Sequence, residues 1–279
     1  MPTSQQDKAE RFRALHARSG AFVIPNPWDA GTARLLEHLG FEALTTTSAG
    51  LANSLGRRDG AGLVSLDETL ANARAIVDAT DLPVAADLEN GFGDSPEAAA
   101  ETIRRAGEDA GLVGGSIEDA TGRDDVQIYD FEHAVERVAA AAEAARKLPF
   151  PFVFVARAEN FLHGRPDLDD TIRRLQAFER AGADALFAPG VNTREGIRTI
   201  CASVSKPVNV VMGLAAAEVN SVQELAELGV RRISLGSSLS RAAFGAVRRA
   251  ALEIREHGTF EFAKEAIPYA ELNRMLSRG

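Results

Sequence analysis

The feature that most constrains this chain is an alternation of short apolar runs with longer segments of helical periodicity, sustained from end to end. Runs over 21–24, 43–47, 83–87, 114–117, 152–156, 185–188, 208–212 and 232–235 are each followed by a helical pattern. Those patterns cover 29–39, 66–79, 96–110, 131–147, 168–181, 193–203, 222–228 and 240–257, making eight strand–helix pairs. A run such as Phe152-Val153-Phe154-Val155-Ala156 lacks the polar alternation of a half-exposed strand. It reads as a strand covered on both faces, as in a parallel sheet flanked by helices. Gly40, Gly182 and Gly229 stand between helix and strand, where a left-handed residue without Cβ ends a helix. One unit repeated without a composition shift predicts an α/β fold of the closed (β/α)₈ TIM-barrel type. An open doubly wound sheet would need a topological switch point.

The 279 residues fit that reading, since such barrels commonly reach roughly 250 residues as one unit, although length alone also allows two smaller domains. The expected layout is an N-terminal helix within 1–20, a barrel over 21–257 and a helical extension over 258–279, forming a single domain. The outer helices either cap the barrel floor or pack against a neighbouring subunit. The small residues Ala242, Ala243, Ala246, Ala250 and Ala251 let another helix approach closely and favour association. Composition removes several partners. A net charge of -9 leaves no basic excess to displace counterions from a nucleic-acid backbone. One cysteine, Cys201, permits neither an intramolecular disulfide nor a thiolate metal cluster; it falls in the sixth helix and is expected to face the core. Lys8, Arg11, Arg13 and Arg18 interrupt any leader-like apolar run, and no stretch approaches the roughly 18 apolar residues of a membrane helix. A cytoplasmic protein with no membrane partner is expected.

Catalytic groups of such barrels project from the C-terminal ends of the strands. Here those ends read Asn26-Pro27-Trp28-Asp29, Thr47-Ser48-Ala49-Gly50, Asp87-Leu88-Glu89-Asn90-Gly91, Glu118-Asp119 and Arg157-Ala158-Glu159-Asn160. Asp87 and Glu89, two apart in an extended segment, would face one side, and Glu118 from the adjacent strand adds a third carboxylate. Acids so gathered repel one another unless a cation or proton intervenes. Oxygen donors without His or Cys select Mg²⁺, Mn²⁺ or Ca²⁺ over zinc. The competing role for any one of them is to cap a helix, but three on neighbouring strand ends favour a metal. Arg157 either clamps a substrate carboxylate or phosphonate, or pairs with Glu118 or Glu159. Thr47-Ser48-Ala49-Gly50 either offers N–H groups and hydroxyls to an anionic oxygen or forms an ordinary turn. Arg57-Arg58-Asp59 reads as a solvated loop, with Asp59 in reach of a metal's water shell. No histidine has metal-ligand spacing; His163 reads as loop surface.

On these segments the chain resembles the isocitrate lyase/phosphoenolpyruvate mutase superfamily over nearly its whole length. Asp87-Leu88-Glu89-Asn90-Gly91-Phe92-Gly93 is similar to that family's D-x-D-x-G-x-G metal segment. Ser116-Ile117-Glu118-Asp119 and Ala156-Arg157-Ala158-Glu159, the latter with Phe161 and Gly164, also match. So does Thr47-Ser48-Ala49 with Gly56 and Arg58-Asp59. The resemblance implies Mg²⁺, with Mn²⁺ as the alternative, held by Asp87, Glu89 and Glu118 directly or through water, with Asp59 supporting the metal shell. It implies a small 2-oxo or 2-hydroxy carboxylate whose oxygens bind the Thr47-Ser48-Ala49 backbone, with Arg157 and Glu159 completing the substrate site. The shared chemistry is a pyruvate-type enolate made by breaking a C–C or P–C bond. A homo-oligomer, dimer or tetramer, with its last barrel helix exchanged between subunits, is also implied.

Two departures narrow this. Glu89 replaces the family's second Asp, one methylene longer. The K-K-C-G-H motif of isocitrate and methylisocitrate lyases is replaced by Asp119-Ala120-Thr121-Gly122-Arg123-Asp124-Asp125-Val126-Gln127, with no Cys or Lys, so neither lyase activity is expected. Thr121 is left as a candidate catalytic residue of this lid, and Arg123 as a cation closing over the substrate on a Gly122 hinge. The expectation is a Mg²⁺-dependent carbon–carbon lyase resembling oxaloacetate decarboxylase. The alternatives are a P–C bond enzyme acting on phosphonopyruvate and a catalytically silent barrel that binds a 2-oxo acid.

Overall fold

The computed structural model describes residues 3–123, 125–213 and 217–277; Asp124 of the expected lid lies outside them. Helix α1 (Gln5–Ala17) precedes the first unit, β1 (Phe22–Ile24) and α2 (Ala30–His38). Strand β2 (Leu44–Thr45) is followed by a short α3 (Ser48–Ser54) and then α4 (Leu66–Ala79). The pairs β3 (Val84–Asp87) and α5 (Pro96–Glu108), β4 (Gly114–Glu118) and α6 (Phe131–Lys147), and β5 (Val153–Arg157) and α7 (Leu168–Ala181) come next. They lead into β6 (Ala185–Phe187) and α8 (Arg194–Ser203), β7 (Val208–Val211) and α9 (Val222–Glu227), and β8 (Arg232–Ser234) and α10 (Ser238–His257). Helix α11 (Tyr269–Leu276) ends the described chain.

The strands are all parallel, in the order β1-β8-β7-β6-β5-β4-β3-β2, so the fold is the expected (β/α)₈ barrel. Among the described residues β1 and β2 share no ladder. The seam is closed instead by the Thr45 amide donating to the Pro25 carbonyl at 3.1 Å and by the buried Asn26. Asn26 Nδ2 donates to the Thr46 carbonyl at 2.9 Å, while its Oδ1 accepts from the Leu235 and Gly236 amides, tying the ends of β1, β2 and β8 together.

Strand parity divides the core. Val84, Ala86, Phe154, Leu186, Val210 and Ile233 point outward against the helices. Their inward neighbours form a separate floor of Phe22, Ile24, Ala43, Ala85, Val113 and Val153, into which Phe12 of α1 inserts. A Cβ on Gly114 would lie 2.6 Å from the Phe12 ring and 2.8 Å from the Val153 carbonyl, so the plug requires glycine there. The buried Lys8 amine donates to the Thr80 carbonyl at 2.7 Å and fastens the same helix. Helix α1 therefore caps the floor, which corrects the preference for association at that end. Local chemistry sets the helix starts. Asp29 and Ser65 form capping boxes, and Ser95, Asp130, Asp167 and Thr193 each accept an amide of the following first turn. Gly40, Gly182 and Gly229 all take positive φ, as expected. Cys201 packs on α8 against Gly229, and burial pushes its thiol up to about 11. Helix α10 stands apart: Phe244, Val247 and Ile254 are exposed, whereas α11 returns to α2 through Arg34 and the Leu276 carbonyl. Among the described residues, no helix is long and apolar enough to cross a membrane.

Candidate active site

Strand order places Asp87, Glu118 and Arg157 on three successive strand ends, with Glu159 two residues on, and they meet around one guanidinium. Arg157 Nη1 lies 2.8 Å from Asp87 Oδ1, Nη2 3.0 Å from Glu118 Oε2, and Nε 2.9 Å from Glu159 Oε1. The ring of Phe187 lies beneath the cation, 5.2 Å from its centre. The two expected alternatives for Arg157 thus meet in part: it pairs with Glu118 and Glu159, and with Asp87 as well. A guanidinium has five N–H groups, so two remain beyond these three bonds. The second Asp87 oxygen accepts the Ser48 hydroxyl at 3.0 Å.

Glu89 reaches this cluster by a different route from the one its spacing predicts. β3 ends at Asp87, and Glu89 itself has φ 48°, with Phe92 at 56°; both are left-handed non-glycine residues. Alternation along an extended strand therefore does not apply. Burial, followed by the charges of Asp87 and Asp59, pushes the Glu89 carboxyl up to about 7. The loop is held by the buried Arg137, whose guanidinium donates to the carbonyls of Asn90, Gly93, Asp94 and Ser95. Glu118 is raised well above the usual carboxylate range by burial, with Arg157 opposing and Glu159, Asp87 and Glu89 adding to it. At the rim, loss of hydration and the Asp87 charge raise Asp59, while the Ser48 hydroxyl and the Gly60 amide oppose the shift.

Thr47, Ser48 and Ala49 begin α3 rather than a simple turn. The Thr47 hydroxyl accepts the Gly50 amide at 3.2 Å and the Ser48 amide donates to Asp87 Oδ2 at 3.4 Å, which leaves the Ala49 amide at the mouth. These residues line a cavity of about 250 Å³ together with Asp59, Asp87 and Arg157. A larger groove, about 920 Å³, lies at the opposite end among α1, α2 and α4, far from the strand ends that carry the acids. Thr121 and Arg123 do not line the smaller cavity. The Thr121 hydroxyl donates to the Val126 carbonyl and accepts the Arg123 amide, knitting the loop internally. Arg123 is paired with Asp94, which also accepts from Tyr129 Oη at 2.6 Å. The lid is thereby fastened to the loop after β3.

The residues fit a hard divalent cation by charge. Asp59, Asp87, Glu89, Glu118 and Glu159 outnumber Arg157, and burial raises three of these acids, Asp59, Glu89 and Glu118. Among the described residues, no three His, Cys, Asp or Glu side chains gather tightly enough to be a complete ligand set. Mg²⁺ usually keeps several waters and takes one or two carboxylates. Missed in the sequence were the lumen residues Asn209, Arg232 and Ser234, which line the same cavity. Their signal was a polar residue at the inward parity of an otherwise apolar strand.

With this geometry in place, comparison with known proteins is direct. The phosphoenolpyruvate phosphomutase family model matches residues 12–255. A crystal structure of a lyase/mutase candidate from Burkholderia cenocepacia J2315 superposes with a TM-score of 0.94 at 56% identity, covering 98% of this chain and 97% of that one. The oxaloacetate decarboxylase of Bradyrhizobium diazoefficiens is 30% identical over 98% of this chain and 93% of its own. Phosphonopyruvate hydrolase, crystallised with oxalate and Mg²⁺, superposes with a TM-score of 0.85 at 27% identity, covering 96% and 94%. The chain belongs to the phosphoenolpyruvate phosphomutase family, within the isocitrate lyase/phosphoenolpyruvate mutase superfamily of lyases and mutases.

Proposed function

We propose that the protein is a Mg²⁺-dependent lyase that cleaves a C–C bond of a small 2-oxo or 2-hydroxy carboxylate and leaves a pyruvate-type enolate, as an oxaloacetate decarboxylase does. The observation that carries this is the surplus of carboxylates around Arg157 at the barrel mouth, where burial and then neighbouring acids raise Glu89 and Glu118. Asp87, Glu89 and Glu118 would hold Mg²⁺ directly or through water, with Asp59 behind them. When bound, the ion supplies a Lewis acid for charge developing on the 2-oxo oxygen. The residues of the chain do the rest. Arg157 holds Asp87 and Glu118 in place and turns its remaining N–H groups to the substrate carboxylate. The Ala49 amide at the start of α3 receives a substrate oxygen, and Ser48 orients Asp87 through its hydroxyl and its amide. Glu159, buried and fixed by Arg157, keeps the guanidinium plane oriented.

Turnover of oxaloacetate, phosphonopyruvate and 2,3-dimethylmalate with Mg²⁺ and with EDTA tests the reading. Pyruvate released from oxaloacetate above the metal-only background is expected. Turnover of phosphonopyruvate alone would favour P–C cleavage, in keeping with the similarity to phosphonopyruvate hydrolase. Mg²⁺-dependent oxalate binding without any turnover would favour a silent barrel. We also propose a homo-oligomer, a dimer or tetramer that covers α10, whose exposed Phe244, Val247 and Ile254 support it.

A further inference from the structure

The barrel lumen holds a second cation that the site above does not use. Arg232 opens β8, opposite Asn209 on β7, and strand parity turns both inward while Ile233 faces the helices. Arg232 is 4% exposed and lines the same cavity as Arg157 and Asp87. Among the described residues it makes no ion pair, and its buried Nε has no hydrogen-bond partner. Asp87, Glu118 and Glu159 are all paired with Arg157, so among the described residues no carboxylate pairs with Arg232. Burial and repulsion from Arg157 pull its pKa down to about 10, with Asp87 opposing; it is charged at neutral pH. A second orphan sits beside it. Asn209, 2% exposed, donates Nδ2 to the Ser234 hydroxyl at 3.0 Å and leaves Oδ1 without a partner. With its amide turned over, Asn209 keeps Ser234, whose hydroxyl also donates, and presents Nδ2 to the cavity.

A buried guanidinium without a counter-ion is strongly destabilising, and an anion that reaches it gains a charge-assisted bond in a dry setting. The cavity, about 250 Å³, is below the roughly 300–1,000 Å³ typical of pockets for drug-sized ligands, so the anion is small. We propose that Arg232, assisted by Asn209, is an anion subsite in the barrel lumen that receives the second carboxylate of a small dicarboxylate. This rests on the reading of the mouth as a carboxylate site and narrows its substrates to diacids.

Calorimetric titration with succinate and with butyrate, on Mg²⁺-loaded and on EDTA-treated protein, tests it. The unaltered protein should prefer the diacid by about ten- to a hundredfold, the scale of a hydrogen bond to a charged group. Arg232→Met, similar in length and uncharged, should remove the preference while leaving butyrate affinity unchanged. Its thermal midpoint should start higher, because an unpaired charge is gone, and should no longer rise with succinate. Arg232→Lys and Asn209→Ala, which keep the charge, should each reduce the preference without abolishing it. They carry the test if Arg232→Met does not fold. An unchanged preference in Arg232→Met, or in both milder variants, overturns the proposal. So does a midpoint shift reproduced in full by sodium chloride at matched ionic strength. Diacid binding that depends on Arg232 with no turnover would sink the lyase reading and leave this subsite standing. Oxaloacetate turnover with a KM indifferent to Arg232→Met would do the reverse.

Discussion

Arg137 is among the most completely buried large side chains, and its donors go to backbone carbonyls rather than to an acid. Those carbonyls belong to the loop in which Glu89 and Phe92 sit in the left-handed region, at about 1–3 kcal/mol of strain for each such residue. Replacing Arg137 with Met leaves several buried carbonyls without donors. A loss of about 3 kcal/mol or more is expected in urea unfolding, together with weaker Mg²⁺ binding as Glu89 drifts. A Met variant of unaltered stability would remove Arg137 from this role. Ser48 acts at closer range, since its hydroxyl holds the Asp87 oxygen that Arg157 does not. Ser48→Ala should weaken Mg²⁺ affinity by about ten- to a hundredfold, the usual effect of losing a group that orients a metal ligand. Titration calorimetry reads this directly.

At the scale of elements, α1 is the floor of the barrel. Phe12→Ala should cost about 3–5 kcal/mol, as emptying a buried aromatic site usually does. Gly114→Ala should be destabilising as well, and Phe12→Ala should relieve it only in part, because the Val153 carbonyl stays 2.8 Å from the added carbon. A double-mutant cycle by thermal denaturation measures that coupling. The same helix carries a pH effect. His16 stacks edge-on between Phe12 and Phe22, its Nε2 lacks a partner, and burial and then Arg232 push it down to about 3 from 6.5. The unfolded chain therefore binds this proton first. The stability His16 contributes is present above about pH 6.5 and is lost as pH falls toward 3. At roughly 1.4 kcal/mol per pKa unit this amounts to a few kcal/mol. His16→Phe should flatten that part of the pH–stability curve, and an unchanged curve would refute the assignment.

For the whole molecule, the carboxylate surplus at one end of the barrel is expected to make stability depend on a cation. Mg²⁺ should raise the thermal midpoint and EDTA lower it. About 2.7 kcal/mol is expected when the ion is at a hundred times its dissociation constant. Assembly is the second expectation at this scale. Phe244→Glu combined with Val247→Glu places charge on the exposed face of α10 and should yield monomers by light scattering, where the unaltered protein gives an oligomer. A monomeric unaltered protein would end that expectation.

Much of this was legible along the chain because it is local. Apolar runs, helical periodicity, Ser, Thr and Asp caps, and glycines at helix ends act over a few residues, and they account for the eight units and for the strand ends that carry Asp87, Glu118 and Arg157. Helix α3 was not legible, because seven residues opened by Thr47, with Gly50 among the first of them, read like a turn. Tertiary structure decided the rest. Closure of the barrel set Arg157 against Asp87, 70 residues away, so that one cation stands among three acids. It gave α1 a floor to plug and turned Glu89 through a left-handed backbone held by a distant Arg137. Above all it put Arg232 and Asn209 inside the lumen, since which side of a strand faces inward depends on register with its neighbours, and register is a property of the assembled sheet.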